Sequence, residues 1–143
     1  MKTIDKLDRK ILDILENDSR STVKEISVKT GVSAGTVANR IKKLQDLETI
    51  KKFTISIDWR KLGHDILAIL LIETKYQKTQ EVAKKIAKYP ETIKLYICTG
   101  GICNIIAMVK SKNMENYSLL KQKIDQLPEI EKIKDLMIID EVC

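Results

Sequence analysis

Residues 22–44, TVKEISVKTGVSAGTVANRIKKL, spell two short helices joined by a glycine turn. Thr22 followed three residues later by Glu25 is a capping box, in which hydroxyl and carboxylate each satisfy a backbone donor that the first helical turn leaves open. Gly31 ends that helix, because glycine tolerates the left-handed conformation at a helix C-terminus. Val32 follows as a buried plug, and Ser33 caps the second helix. On that second helix Val37, Ile41 and Leu44 recur at i, i+4 and i+7, so they share a core-facing side.

At about 100° per residue, Gly35, Asn39, Lys42 and Asp46 fall opposite that side, Thr36 and Lys43 beside it, and Arg40 nearer the core edge. A small residue in the first turn followed by Asn, Lys and a nearby Arg suits a helix lying in a DNA major groove. Asn can read adenine with two hydrogen bonds, and Arg or Lys can read guanine or hold phosphate. A solvated amphipathic helix with ordinary surface cations is the alternative that this helix alone leaves open.

Upstream, Asp5 to Glu16 reads as a first helix, capped by Asp5, with Asp8 in its first turn and Leu7, Ile11, Ile14 and Leu15 as its apolar stripe. Three helices with a tight turn between the second and third make a helix-turn-helix unit over residues 1–50. Downstream, Ile50 to Asp58 (IKKFTISID) alternates at period two and reads as a strand or small wing. Lys51 and Lys52 at its start could touch a phosphate backbone, or simply guard an edge strand. Trp59-Arg60-Lys61-Leu62-Gly63 reads as a hinge, so residues 51–63 form a wing and linker.

From residue 64 the pattern changes. His64–Thr74, Thr92–Thr99, Ile102–Val109 and Ile130–Ile139 read as strands, and 78–88 and 113–126 as helices. The order βαββαβ is that of a ferredoxin-like sandwich with both helices on one sheet face. The class is therefore α+β: an N-terminal (winged) helix-turn-helix domain followed by a ferredoxin-like domain over 64–143. The uncovered sheet face carries apolar strand residues, which points to burial against a second copy.

Charge is unevenly spread. The chain of 143 residues carries +6 overall, +5 of it within residues 1–63 and +1 within 64–143. The N-terminal part is the polyanion-facing candidate. No apolar leader or bilayer-length apolar run is present, so no membrane partner is expected. Cys98, Cys103 and Cys143 lack a paired framework and read as reduced thiols of a cytoplasmic protein. The single His64 has no metal-ligand spacing, and no nucleophile–base set, phosphate loop or dinucleotide fingerprint occurs, so no metal, cofactor or catalytic residue is expected. Gly100-Gly101 reads as a tight hairpin turn, whose free backbone N–H groups could also take a small carboxylate.

Several stretches together resemble the Lrp/AsnC (leucine-responsive regulatory protein) family of transcriptional regulators: IDKLDRKILDIL at 4–15, SRSTVKEISVKTGVSAGTVANRIKKL at 19–44, KLG at 61–63, YPETIKLYICTGGICNIIAMV at 89–109 and LPEI at 127–130. The resemblance runs from Ile4 to Val142. It places the family's recognition-helix arginine on Arg40, its helix-starting serine on Ser33, and its hairpin TG on Thr99 and Gly100. It implies that 64–143 is an effector-sensing and oligomerising domain, forming dimers through its sheet and often larger rings, with small molecules, commonly amino acids, bound near the hairpin. The chain departs from the family at three places. Cys103 stands where an aspartate is usual, Asp135 where a last-strand threonine is common, and Glu48 where a glycine usually ends the recognition helix. The expected DNA contacts are thus Ser33, Gly35, Thr36, Asn39, Arg40, Lys42, Lys43, Lys51 and Lys52. The expected effector residues are Thr99, Gly100, Gly101, Cys103 and Asp135.

The first functional expectation is a sequence-specific regulator binding double-stranded DNA as a homodimer or higher oligomer, with an amino acid as possible effector. A low-specificity architectural DNA binder would use the same helix. An enzyme related to haem-precursor decarboxylases would need convergent His and Arg in the C-terminal part, where no Arg follows Arg60.

Overall fold

A computed structural model describes residues 3–141, so Cys143 lies outside the described residues. The chain forms two compact units that divide after Ser56.

The first unit holds three helices: α1 (Lys6–Asn17), α2 (Val23–Thr30) and α3 (Ala34–Asp46). Each begins where the local sequence supplies an acceptor. Asp5 and Asp8 form a reciprocal capping box on α1, Thr22 and Glu25 another on α2, and Ser33 accepts from Thr36 on α3. Gly31 closes α2 at φ 75°. The apolar stripes meet in one core, where Ile11, Ile26, Val37 and Leu44 are fully buried and Leu15 nearly so. Burial of each such side chain stabilises by roughly 1.5–3 kcal/mol. Glu48, after α3, adopts φ 53°, the backbone conformation that the glycine expected there by resemblance would take without strain. Its N–H donates to Gln45 and that of Ile50 to Leu44, which closes the helix end despite the side chain.

The strand or wing expected over 50–58 is absent. Residues 51–58 pair with no strand, and Phe53 and Ile55 are 49% and 75% exposed. Period-two alternation supplies an apolar side but no hydrogen-bond partner, and no strand of the described residues pairs with this segment.

The second unit is β1 (Ile66–Thr74), α4 (Thr79–Ile86), β2 (Thr92–Ile97), β3 (Ile105–Ser111), α5 (Met114–Asp125) and β4 (Ile130–Met137). The strands form one antiparallel sheet in the order β2-β3-β1-β4, the ferredoxin-like arrangement. One face, with Ala68, Leu70, Ile72, Ile105, Ala107 and Val109, packs on Val82, Ala83 and Ile86 of α4 and on Tyr117, Leu120 and Ile124 of α5. The other carries Ile69, Leu71, Ile106 and Met108, with Tyr96 and Leu136 half exposed at its edges. The run ILAILLIE of β1 is apolar on both faces for this reason.

The residues read as a hinge are fastened onto this unit. Arg60–Leu62 is a 3-10 turn, and Arg60 donates to the carbonyls of Ile138 (2.7 Å) and Ile139 (2.8 Å). Lys110 lies 3.7 Å above the Trp59 ring, and His64 meets that ring edge-on at 5.8 Å.

Two substitutions at the ends of α2 and α3 should act in opposite directions. A Cβ at Gly31 meets nothing within 4 Å, so Gly31→Ala suffers only the left-handed backbone penalty and should lose about 1 kcal/mol. Glu48→Gly should gain about 0.5 kcal/mol, the relieved backbone strain less the entropy glycine adds to the unfolded chain. Urea unfolding midpoints of the full-length variants check both signs.

Candidate nucleic-acid interface and effector hairpin

The second helix of the turn motif, α3, is set against the first unit's core by Val37 and Leu44. Its outward side presents Gly35, Asn39, Lys42 and Asp46, all exposed, as the helical period requires, together with Ala38 and Gln45 on one flank. Those last two lie about 80–100° from the core direction, so the same wheel that selected Asn39 could have included them. The side chains of Asn39 and Lys42 make no hydrogen bond or ion pair to any described residue. Ser33 and Thr36, by contrast, are tied together: the Thr36 N–H donates to Ser33 Oγ at 3.1 Å and their hydroxyls lie 2.8 Å apart.

The other flank of α3 is neutralised from within. Arg40 pairs with Asp5 and, at 3.1 Å, with Asp8. Lys43 pairs with Asp8 at 2.6 Å and donates to the Thr3 carbonyl at 3.1 Å. Asp8 is completely buried, one oxygen accepting from Arg40 and the other from Lys43 and the Asp5 N–H. Burial pushes its carboxyl up, but the hydrogen bonds from Lys43, the Asp5 backbone and Arg40 outweigh burial and hold it at about 2. Asp5 is held below its ordinary value as well, first by the Asp8 N–H and next by Arg40. The sequence marked Asp5 and Asp8 only as a cap and a first-turn charge. Their pairing with cations some 35 residues away has no periodic signature. Lys51 and Lys52 are exposed on the unpaired 51–58 segment, which leaves them no wing to sit on.

In the second unit, Thr99, Gly100, Gly101 and Cys103 lie together on the β2–β3 hairpin. Gly100 and Gly101 take φ 80° and 76°. The Cys98 N–H donates to the Asn104 carbonyl and the Asn104 N–H to that of Ile72, both at 3.0 Å, fixing the hairpin's base to β1. The Asn104 side chain adds a second tie, accepting from the Thr74 N–H at 3.0 Å. No backbone N–H from Thr99 to Ile102 donates to a described residue.

Asp135 is not part of this group. It lies on β4, at the opposite edge of the sheet from β2, opposite Leu70 and on the helix-covered face. There it accepts from Tyr117 Oη and Lys121 Nζ, both at 2.8 Å. Lys121, then Tyr117, hold its carboxyl low, while burial, then Asp135, push the Tyr117 hydroxyl up. The resemblance named Asp135 together with the hairpin residues, and within one chain the sheet order sets it apart from them.

A three-helix reader and a one-sided sandwich with an open hairpin define a DNA-binding regulator with a ligand-binding domain. Comparison with known proteins agrees. Residues 4–45 match the AsnC-type helix-turn-helix domain and residues 67–143 the Lrp/AsnC ligand binding domain. The chain is 36% identical over 136 residues to the HTH-type transcriptional regulator FL11 of Pyrococcus horikoshii, covering 95% of this chain and 89% of that protein. It is 34% identical to the regulatory protein AsnC of Haemophilus influenzae, over 96% of this chain and 92% of the other. Among solved structures, AsnC of E. coli superposes with a TM-score of 0.81 at 26% identity, covering 97% and 94% of the two chains. A Neisseria meningitidis transcriptional regulator solved with L-Met superposes at 0.86 and 20% identity, covering 99% and 93%. The protein belongs to the Lrp/AsnC family of transcriptional regulators. That family is regulatory rather than catalytic, and the described residues contain no cluster of three or more His, Cys, Asp or Glu able to hold a metal. No described helix is long and apolar enough to cross a membrane.

The buried carboxylate makes stability depend on acid. Because the folded Asp8 sits at about 2, below its ordinary 3.8, its contribution is complete above pH of about 4 and fades as pH falls toward about 2. Asp8→Asn should cost about 2 kcal/mol at neutral pH, since Arg40 and Lys43 lose a shared anion but can turn partly to water. The same variant should show a flatter stability profile between pH 4 and 2 than the parent, measured by urea unfolding at each pH.

Proposed function

We propose that the protein is a sequence-specific DNA-binding regulator, working as a homodimer or larger assembly, whose hairpin takes a small carboxylate such as an amino acid. The observation that carries the DNA reading is the division of α3. One flank is pinned to α1 by its own acids, and the side bearing Gly35, Asn39 and Lys42 is left without internal partners. Gly35 supports it. A Cβ there would meet only Ser33 Oγ at 3.9 Å, so the fold's interior does not require glycine in a helix, where it costs about 1 kcal/mol against alanine. Close approach of a duplex would use that gap. In this reading Asn39 reads bases, Lys42, Lys51 and Lys52 meet bases or phosphates, and Ser33 and Thr36 shape the helix entry. Arg40 and Lys43 position the helix.

The open sheet face supports self-association. Ile69, Leu71, Ile106 and Met108 with Tyr96 and Leu136 form a continuous apolar surface on an otherwise charged chain. Exposed Phe53 and Ile55 supply further apolar surface on the unpaired segment. Two copies would set two recognition helices on half-sites about 34–36 Å apart or a multiple of it. The effector reading draws on the unbonded N–H groups of the hairpin and on the L-Met held by the Neisseria protein of the same fold.

Titration of fluorescent duplexes tests the DNA assignment. Asn39→Ala should lose about 1–3 kcal/mol on a selected site and little on random duplex. Lys52→Ala should weaken both alike and lower the salt slope by about one. Equal losses on both duplexes for Asn39→Ala would remove its base-reading role, and a parent affinity ratio near one would mark an architectural binder instead. For the hairpin, an amino acid present at about 100 times its Kd should stabilise the protein by about 2.7 kcal/mol, read as a raised Tm across an amino-acid screen.

A further inference from the structure

Cys98 and Cys103 flank the hairpin loop, and their Sγ atoms stand 3.9 Å apart. Cys98 Sγ also lies 3.6 Å from the Cys103 carbonyl oxygen. Both residues are partly exposed. Two thiols this close are within reach of sharing a metal or of being joined to each other. No third His, Cys, Asp or Glu among the described residues completes a metal cluster, and the geometry that remains is that of a dithiol. A disulfide needs a bond of about 2.0 Å, so the sulfurs must close by roughly 2 Å, within the range of side-chain rotation and small backbone adjustment. The backbone between them can follow. Gly100 and Gly101 carry the turn, and no N–H from Thr99 to Ile102 is fixed to a described acceptor. Beneath them the base is held, Cys98 N–H to Asn104 and Asn104 N–H to Ile72, so closure would not shift the strands.

We propose that Cys98 and Cys103 form a thiol–disulfide exchange site that accepts a low-molecular-weight disulfide and, once oxidised, closes the Thr99–Ile102 loop into a ring. Burial first, and then the neighbouring Cys98, push the Cys103 thiol up. Either sulfur can begin the exchange, since each faces the other and is partly exposed. Where Cys98 begins, its thiolate attacks one sulfur of the small disulfide, whose S–S bond breaks and releases one small thiolate. Cys103 then gives its proton to solvent and attacks Cys98 Sγ, displacing the second small thiolate. The protein loses two electrons and two protons, and the oxidant becomes two thiols. This assigns regulation to the hairpin, and its consequence for ligand binding rests on the effector reading above.

The test uses full-length Cys143→Ser protein, which keeps only the hairpin pair, incubated with oxidised glutathione. Intact mass should fall by two hydrogens, both thiols should become unreactive, and the Cys98 and Cys103 peptides should stay joined until reductant is added. In the Cys103→Ser, Cys143→Ser variant the reaction should stop at one glutathione adduct on Cys98. Two free thiols, two adducts or an intermolecular disulfide in the first protein would overturn the site. Amide exchange over 99–102 should slow on oxidation, and unchanged exchange would overturn the closed loop. A reduced protein that ignores every amino acid yet forms the disulfide keeps this proposal and removes the effector reading. A reduced protein whose Tm responds to an amino acid but which forms no disulfide does the reverse.

Discussion

A carboxylate with no access to water, Asp8, stands between two cations of the recognition helix. A charge so placed is stable only with its partners in position, so α1 and α3 are locked in one relative orientation by electrostatics as well as by the apolar contact of Ile11, Val37 and Leu44. The orientation of α3 is what any reading of DNA by this protein requires. The lock also gives Arg40 and Lys43 internal acidic partners that Lys42 lacks. Charge counting over residues 1–63 overstates the unpaired positive charge on α3 for this reason.

The second unit is governed by incomplete coverage. Two helices cover one face of a four-stranded sheet, and β1, apolar on both sides, gives the other face a greasy centre. That surplus is what makes association with a second copy physically reasonable. At the sheet's end, the hairpin is clamped at its base by Asn104 and Thr74 but unbonded at its tip. A firm base with a free tip suits a loop whose conformation responds to a ligand or to the oxidation state of its own cysteines.

The three departures from the family pattern each have a physical place. Glu48 adopts the left-handed backbone that glycine would occupy, so the turn is kept and the strain is accepted. Cys103, in the aspartate's position, faces Cys98 across the loop and exchanges a carboxylate's charge for thiol chemistry. Asp135, on the helix-covered face, is satisfied by Tyr117 and Lys121 and belongs to the packing of α5 on the sheet.

The sequence by itself determined whatever is local. The capping boxes of α1 and α2, the Ser33 cap, the Gly31 turn, the apolar stripe of α3 and the βαββαβ order are each written within a few residues, because backbone capping and side-chain period act at that range. It misled where alternation stood in for pairing, at residues 51–58, since a strand exists only with a neighbour. Tertiary structure alone decided three things. It chose which cations stay free on α3, which strand carries Asp135 away from the hairpin, and how close two cysteines come across a loop. Each depends on the distance between groups remote along the chain or folded back by a turn, and distance through space is set only when the elements pack.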